Sequence, residues 1–461
     1  MLAFPRSPQL LAVLSLSLLV ACGGGSTAHL DASPLLDSRD GKDAWESSPD
    51  GVVVADGPEP DGTVVADAAS DAASDATTMP DLARDGSSVQ PEARVGDAEV
   101  ERPDAASALD GFVDTQARDT AAAELPRDAG SNKPITLAAW PGANSVANAS
   151  VKNAFGPNLS GLCYQPAAAA AAGETAAILW AVQNSPSKVF RLTWNGTAFV
   201  PVTTDGWGSG KTLVYPTGSG SPDSEGLTRT EWDKDELYVS AEENNEVSST
   251  SRLSILRYDL GASATTLVAT HEWNLTADLP STDANKGLEA IAWIPDAFLV
   301  ERGFYDENAK AAYDPASYAN HGTGIFLVGM ENTGMVYGYA LDHTAKTFKR
   351  VTTFTSGQVG IMDLAFDRDT GTLWALCDSA CNNRMTLLDI DTVEGSTTKG
   401  RFILRATVPP PTTLTSTNNE GISMAPESEC ANNRKGFFWA DDDESNGYAI
   451  RRDSIPCGRL F

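Results

Sequence analysis

One unit recurs five times between residue 160 and the end of the chain, and it limits the fold more than any other feature. Each copy opens on a polar, usually acidic, residue before a small-apolar strand. It then crosses a turn, enters an apolar strand that ends in polar residues, and continues into a second apolar strand. The copies begin at Ser160-Gly161-Leu162, Glu225-Gly226-Leu227, Glu289-Ala290-Ile291, Asp363-Leu364-Ala365 and Glu420-Gly421-Ile422. They lead to ILWAVQN (178–184), ELYVSAEEN (236–244), AFLVERG (297–303), TLWALCDSA (372–380) and GFFWADDDE (436–444). Spacings of 65, 64, 74 and 57 residues between lead positions suit a four-stranded unit with generous loops. One such unit cannot bury its apolar face alone, so the copies must pack on one another.

The apolar runs are short, rich in β-branched and aromatic residues, and bounded by turn formers such as Asn195-Gly196 and Asp369-Thr370-Gly371. Helix-period stretches are nearly absent; the alanine run 167–172 reads as an inserted loop or one helical turn. Radial repetition protects the edges of an all-β chain. The expectation is therefore a β-propeller of five or six four-stranded blades. ITLAAW (135–140) would supply the outer strand of the last blade and close the ring. The runs GIFLVGM and MVYGYALD, within 303–342, would be an insertion or a sixth, degenerate blade.

The N-terminus reads differently. Arg6, the apolar run Leu10 to Ala21 and the box Leu19-Val20-Ala21-Cys22 form a secretory signal with a cysteine at the cleavage site. About twelve apolar residues fall short of the roughly twenty that span a bilayer. The box is similar to the one at which bacteria lipidate the cysteine, so residues 1–22 are expected to end in a lipid anchor at Cys22, with Gly23 pointing to the outer membrane. Residues 23–132 are rich in Asp, Ala, Ser, Gly and Pro and carry roughly 17 of the 29 net negative charges. Such a tract buries little and repels itself, so it is expected to be a disordered tether. The propeller would then occupy 133–461, in the periplasm or at the cell surface, as a monomer. The acidic balance and the lack of a basic stripe exclude nucleic acid as a partner.

An exported chain can oxidise its cysteines. Cys377 and Cys381 bracket a short loop and Cys430 and Cys457 flank the last two strands, which pairs them in that way and leaves Cys163 as a free thiol in an apolar stretch. There is no CxxC pair for zinc and no G-x-S-x-G elbow. His271, His321 and His343 are not spaced as a metal pair and read as loop or surface residues. The tryptophans read as core or rim between blades, with Trp207 equally open to a ligand role.

In a propeller the first strand of each blade lines the channel, so the lead residues should converge there. Glu225, Glu289, Asp363 and Glu420 share one register, and such a ring repels itself unless a cation or shared protons neutralise it. Oxygen ligands from several directions suit Ca2+. The bland reading is that these carboxylates cap backbone amides. The second strands end in Glu242, Glu243, Glu301, Asp378, Asp441, Asp442 and Asp443, which would make the channel mouth strongly negative. Glu289 and Glu420 are candidate catalytic acids, and Lys286, Arg302 or Arg384 would neutralise a substrate anion, Lys286 first.

Taken together, Ser224-Glu225-Gly226-Leu227 with LYVSAEEN, Asn285-Lys286-Gly287-Leu288-Glu289-Ala290-Ile291, Met362 to Asp367, and Asn419-Glu420-Gly421-Ile422 with WADDDE resemble successive blade motifs of the phytase-like propeller domain, described as having esterase-like activity of phytase. The resemblance covers nearly all of 133–461. It implies an exported, calcium-dependent hydrolase acting on a small anionic ester or phosphoester. The chain lacks the DAxDDP signature of β-propeller phytases, so the resemblance does not name phytate as substrate. The alternatives are a noncatalytic surface propeller that binds a protein or glycan, and a lactonase similar to the gluconolactonase propellers, which have Glu-Gly-Pro where this chain has Glu-Gly-Leu and Glu-Gly-Ile.

Overall fold

A computed structural model describes residues 133–139, 146–169, 176–247, 249–410 and 417–461. The signal segment, Cys22 and the acidic tract 23–132 lie outside the described residues. Among the described residues five mainly antiparallel blade sheets follow in chain order, each with its earliest repeat strand innermost, and Thr266–Val268 adds a parallel strand to the first. The inner strands are Leu159–Gln165, Pro222–Thr228, Leu288–Pro295, Asp363–Asp367 and Asn419–Met424. Their neighbours are Ile178–Gln183, Glu236–Asn244, Gly324–Met330, Thr372–Leu376 and Arg434–Asp441. This is a five-bladed β-propeller.

Five apolar clusters join the blades, and each draws its residues from one neighbouring pair. Trp180 and Trp207 pack between the first and second blades, Trp273 and Trp293 between the second and third, and Trp374 and Trp439 between the fourth and fifth. Ile325 and Leu364 meet between the third and fourth, and Phe199 and Phe438 between the fifth and first. The ring therefore closes through side-chain packing on every side. Truncating a buried tryptophan at such a seam costs about 3–5 kcal/mol. Trp207 is core.

Two elements differ from the sequence expectation. AFLVERG is not a strand: Pro295 caps a short helix, Asp296–Glu301, and the second strand of the third blade is GIFLVGM. GIFLVGM and MVYGYALD are thus ordinary strands of that blade, which fixes the count at five. Residues 296–323 are an insertion that carries the helix and the small hairpin Tyr305–Asp306 with Ala311–Ala312.

The closing strand also lies elsewhere. Ala147–Asn148 pairs antiparallel with Ile450–Pro456 and completes the fifth blade. Ile135–Thr136, from the segment expected to do so, instead adds a parallel fifth strand to the fourth blade, beside Phe402–Val408. The fifth blade thus joins the second strand of the propeller sequence to its last. Cys377–Cys381 and Cys430–Cys457 are bonded, and Cys163 is free.

Candidate functional site: the acidic mouth of the channel

The inner strands approach closely, and this explains the small residue after most lead positions. A Cβ on Gly226 would lie 2.7 Å from the Ile291 amide nitrogen, and one on Gly421 would lie 2.2 Å from the Ser160 carbonyl oxygen. Neither fits, so glycine lets adjacent blades converge on the axis. At Ser160, Glu225, Glu289 and Glu420 the pairing with the second strand slips by a bulge. A bulge re-aims a side chain, and here it turns the lead residues toward a shared opening.

The fourth blade is different. Asp363 pairs in regular register with Leu376, without a bulge, and is followed by the bulky Leu364. Its carboxylate accepts backbone N–H bonds from Leu364 at 2.8 Å and from Ile422 of the next blade at 2.7 Å. Asp363 is therefore a latch between blades and not one of the converging acids. The amide-capping reading holds at this one position.

A tighter group lies on the side of the first and second blades. Asp223, Glu225 and Glu242 are all buried, and one ligand oxygen from each lies within 4.8 Å of the others. Asn184 donates its amide to Glu225 at 3.1 Å, and the Gly287 N–H donates to Glu242 at 2.6 Å. The Asn184 Oδ1 and the Glu243 Oε2 are buried without a partner, and Glu243 itself is 6% exposed. Among the described residues no salt bridge reaches Asp223, Glu225, Glu242, Glu289 or Glu420.

The electrostatics follow from that geometry. Burial, then the charges of Glu242, Asp223 and Glu420, hold the Glu225 carboxyl well above the usual carboxylate range. Burial, then Glu225, Glu242 and Glu420, does the same to Glu289. Burial pushes Glu242 up to about 8, against the Gly287 amide, which favours its ionised form. Asp223 is pushed up to about 6 by burial, with Glu243 adding to it and the Asn245 amide opposing it. Without a cation Glu242 keeps its proton into the neutral range.

The other expected mouth residues divide. Asp378 and Asp442 stand at the ends of their second strands and, with Asp443, raise Glu420 after burial does. Asp441 is buried and tied at 2.7 Å to Arg451, so it serves the fold. Glu301 is a correction: it ends the helix that follows the far end of the third inner strand, at the opposite end of the channel, together with Arg302. The place assigned to it belongs to Glu331, which follows Met330 and holds an unpartnered buried oxygen. Lys286 is exposed at this rim; burial and then Asp378 raise the Glu331 carboxyl, and the Lys286 charge opposes them. Arg384 is held at the rim by Gln358 at 3.0 Å.

The opposite end of the channel has another character. Cys163, Trp232, Trp293, Arg368 and Met424 line a cavity of 130 Å³ there. Burial raises the Cys163 thiol, against the charges of Arg368 and Arg229. His321, read as a loop or surface residue, is buried and bonded to Asp296 at 3.0 Å, which with its other contacts raises its pKa.

Fold and site together define a five-bladed propeller with a carboxylate-rich channel mouth. No family model and no curated protein matches the chain. Among solved structures it is similar to a chain of a mitotic checkpoint complex, at 10% identity over 76% of this chain and all of that one, with a TM-score of 0.34. It is also similar to a functionally unknown protein from Desulfotomaculum acetoxidans DSM 771, at 10% identity over 66% of this chain and 72% of that one, with a TM-score of 0.31. Likeness at that level carries no argument about this chain.

Proposed function

We propose that this protein is an exported, lipid-anchored propeller, phytase-like in its blade motifs, that binds calcium in its acidic mouth and hydrolyses phosphate or other esters there. The observation that carries the reading is the trio Asp223, Glu225 and Glu242, buried within 4.8 Å of one another and reached by no salt bridge among the described residues. Carboxylates so placed need protons or a cation. An all-oxygen set, with the unpartnered oxygens of Asn184 and Glu243 beside it, suits a hard ion such as calcium. The LVAC box and the acidic tract support export and anchoring.

A calcium ion bound there would polarise an ester or phosphoryl oxygen. The chain's own residues do the rest. Lys286 and Arg384 offer cationic donors at the rim for the anion of a small substrate. Glu289 and Glu420 stand on the third and fifth inner strands, within electrostatic reach of the trio, as the acids placed to exchange a proton with water or a leaving group.

The test is to strip the purified protein with a chelator and assay aryl phosphates, phytate and aryl esters with and without calcium. Turnover that needs calcium and is lost in Glu289→Gln and Glu420→Gln supports the hydrolase. Calcium binding without turnover on any of these substrates sinks it and leaves a noncatalytic propeller that binds a protein or glycan. For the anchor, incorporation of labelled fatty acid that disappears in Cys22→Ser is expected; its absence from the native sequence contradicts the lipoprotein reading.

A further inference from the structure

The end of the channel away from the acidic mouth is built by the later residues of the same five inner strands. Leu162 and Cys163, Leu227, Trp293, Phe366 and Met424, one or two from each strand, line the 130 Å³ cavity there. That wall is mainly apolar, and the charge set into it is positive.

Arg368, directly after the fourth inner strand, forms part of the wall. Its guanidinium lies 4.1 Å from the ring centroid of Trp232 and 4.8 Å from that of Trp293. Its two terminal nitrogens donate to the backbone carbonyls of Thr230, at 2.6 Å, and of Arg229. Those bonds use two of the five N–H groups that a guanidinium carries. Arg229 adds positive charge nearby, with its own donors spent on Gln165 and on the carbonyls of Lys234 and Glu236. Among the described residues no salt bridge reaches Arg368 or Arg229. Of the acids in the wall, Asp367 is paired with Lys435 at 2.7 Å, and Asp369 is exposed and accepts the Glu427 amide. Burial lowers Arg368 to about 10, so it stays charged at neutral pH. Cys163 does not balance it as a thiolate, because burial raises that thiol.

A guanidinium held by aromatic faces and carbonyls, with donors left over and no acid upon it, is a partner for an anion. The apolar wall around it suits a body without polar groups. A cavity of roughly 150 Å³ holds a benzene ring, which sets the size of that body. We propose that this cavity binds a small organic anion, a single carboxylate on a compact apolar body, with the carboxylate on Arg368 and the body against Trp293, Phe366 and Met424. The site lies at the other end of the channel from the trio and shares no residue with it. Cys163 stands in its wall as a reporter and takes no chemical part.

The probes are benzoate and its neutral counterpart benzyl alcohol, titrated calorimetrically into the chelator-treated full chain, so that the result is separate from the calcium reading. One benzoate per chain is expected, with benzyl alcohol at least about tenfold weaker for want of a charge-assisted hydrogen bond. Benzoate should also slow the alkylation of Cys163 by iodoacetamide, read by peptide mass. Arg368→Gln should weaken benzoate by a similar factor and leave benzyl alcohol unchanged, with circular dichroism confirming the fold. Should that variant fail to fold, Ala365→Leu, which fills the cavity, replaces it and is expected to abolish benzoate binding. No benzoate binding, equal affinity for the two probes, an unprotected Cys163, or undiminished binding in the folded variant overturns the proposal.

Discussion

The Glu242 carboxylate accepts a 2.6 Å hydrogen bond from the Gly287 amide, so an acid of the second blade is fixed by the segment that enters the third. That bond orients a carboxylate with an oxygen within 4.8 Å of those of Asp223 and Glu225. Glu242→Gln keeps an acceptor for Gly287 and removes only charge. The variant is expected to melt no lower than the native protein in chelator, and to lose most of the stabilisation that calcium gives.

The raised carboxyls set a pH dependence. Asp223, at about 6, and Glu242, at about 8, bind protons more tightly folded than unfolded, where values near 4 apply. What these two acids contribute to stability in chelator is therefore full below the unfolded values and is lost as pH rises from about 4 through about 8. Melting in chelator is expected at a lower temperature at pH 8.5 than at pH 5. A rise over that interval contradicts the burial of these acids without a basic partner.

Asp363 is expected to matter for stability alone. Asp363→Ala leaves the buried amides of Leu364 and Ile422 without their acceptor, at about 1–3 kcal/mol for each unsatisfied group. Denaturant unfolding should show that loss, while calcium affinity per folded molecule stays the same. A large fall in calcium affinity would return Asp363 to the ring of ligands.

Gly421→Ala tests the close approach of the inner strands. The added Cβ would meet the Ser160 carbonyl oxygen at 2.2 Å, and that backbone cannot swing aside as a side chain can. Overpacking of this kind costs about 1–3 kcal/mol. Alanine is the native residue at the corresponding position of the third blade, Ala290, so tolerance depends on the neighbouring strand and not on the motif.

Much of this arrangement is legible in the chain. The lead positions repeat in register, the inner strands follow from them, and the cysteine pairs flank the segments that they join. Even the exception at Asp363 carries a sign: Gly161, Gly226, Ala290 and Gly421 follow the other leads, whereas Leu364 is too large for the same turn toward the axis. Glu331 is less legible. AFLVERG imitates a second strand so well in composition that it displaced GIFLVGM, and only the Pro before it argues for the helix that forms. Asp223 lies two residues before Glu225, on the same face of a period-2 strand, but outside the lead register that the repeat marks. The closing strand is two residues long, Ala147–Asn148, too short to give a pattern.

Calcium-dependent chemistry at the mouth requires that the trio of Asp223, Glu225 and Glu242 hold a cation. The direct measurement is the melting temperature at pH 7.5 of the native chain and of Glu242→Gln, each in chelator and in excess calcium. Calcium at about 100 times its dissociation constant stabilises the folded state by about 2.7 kcal/mol, a shift of a few degrees. The native protein is expected to show that shift and Glu242→Gln to lose most of it. No shift in the native protein, or an equal shift in both, contradicts the cation site.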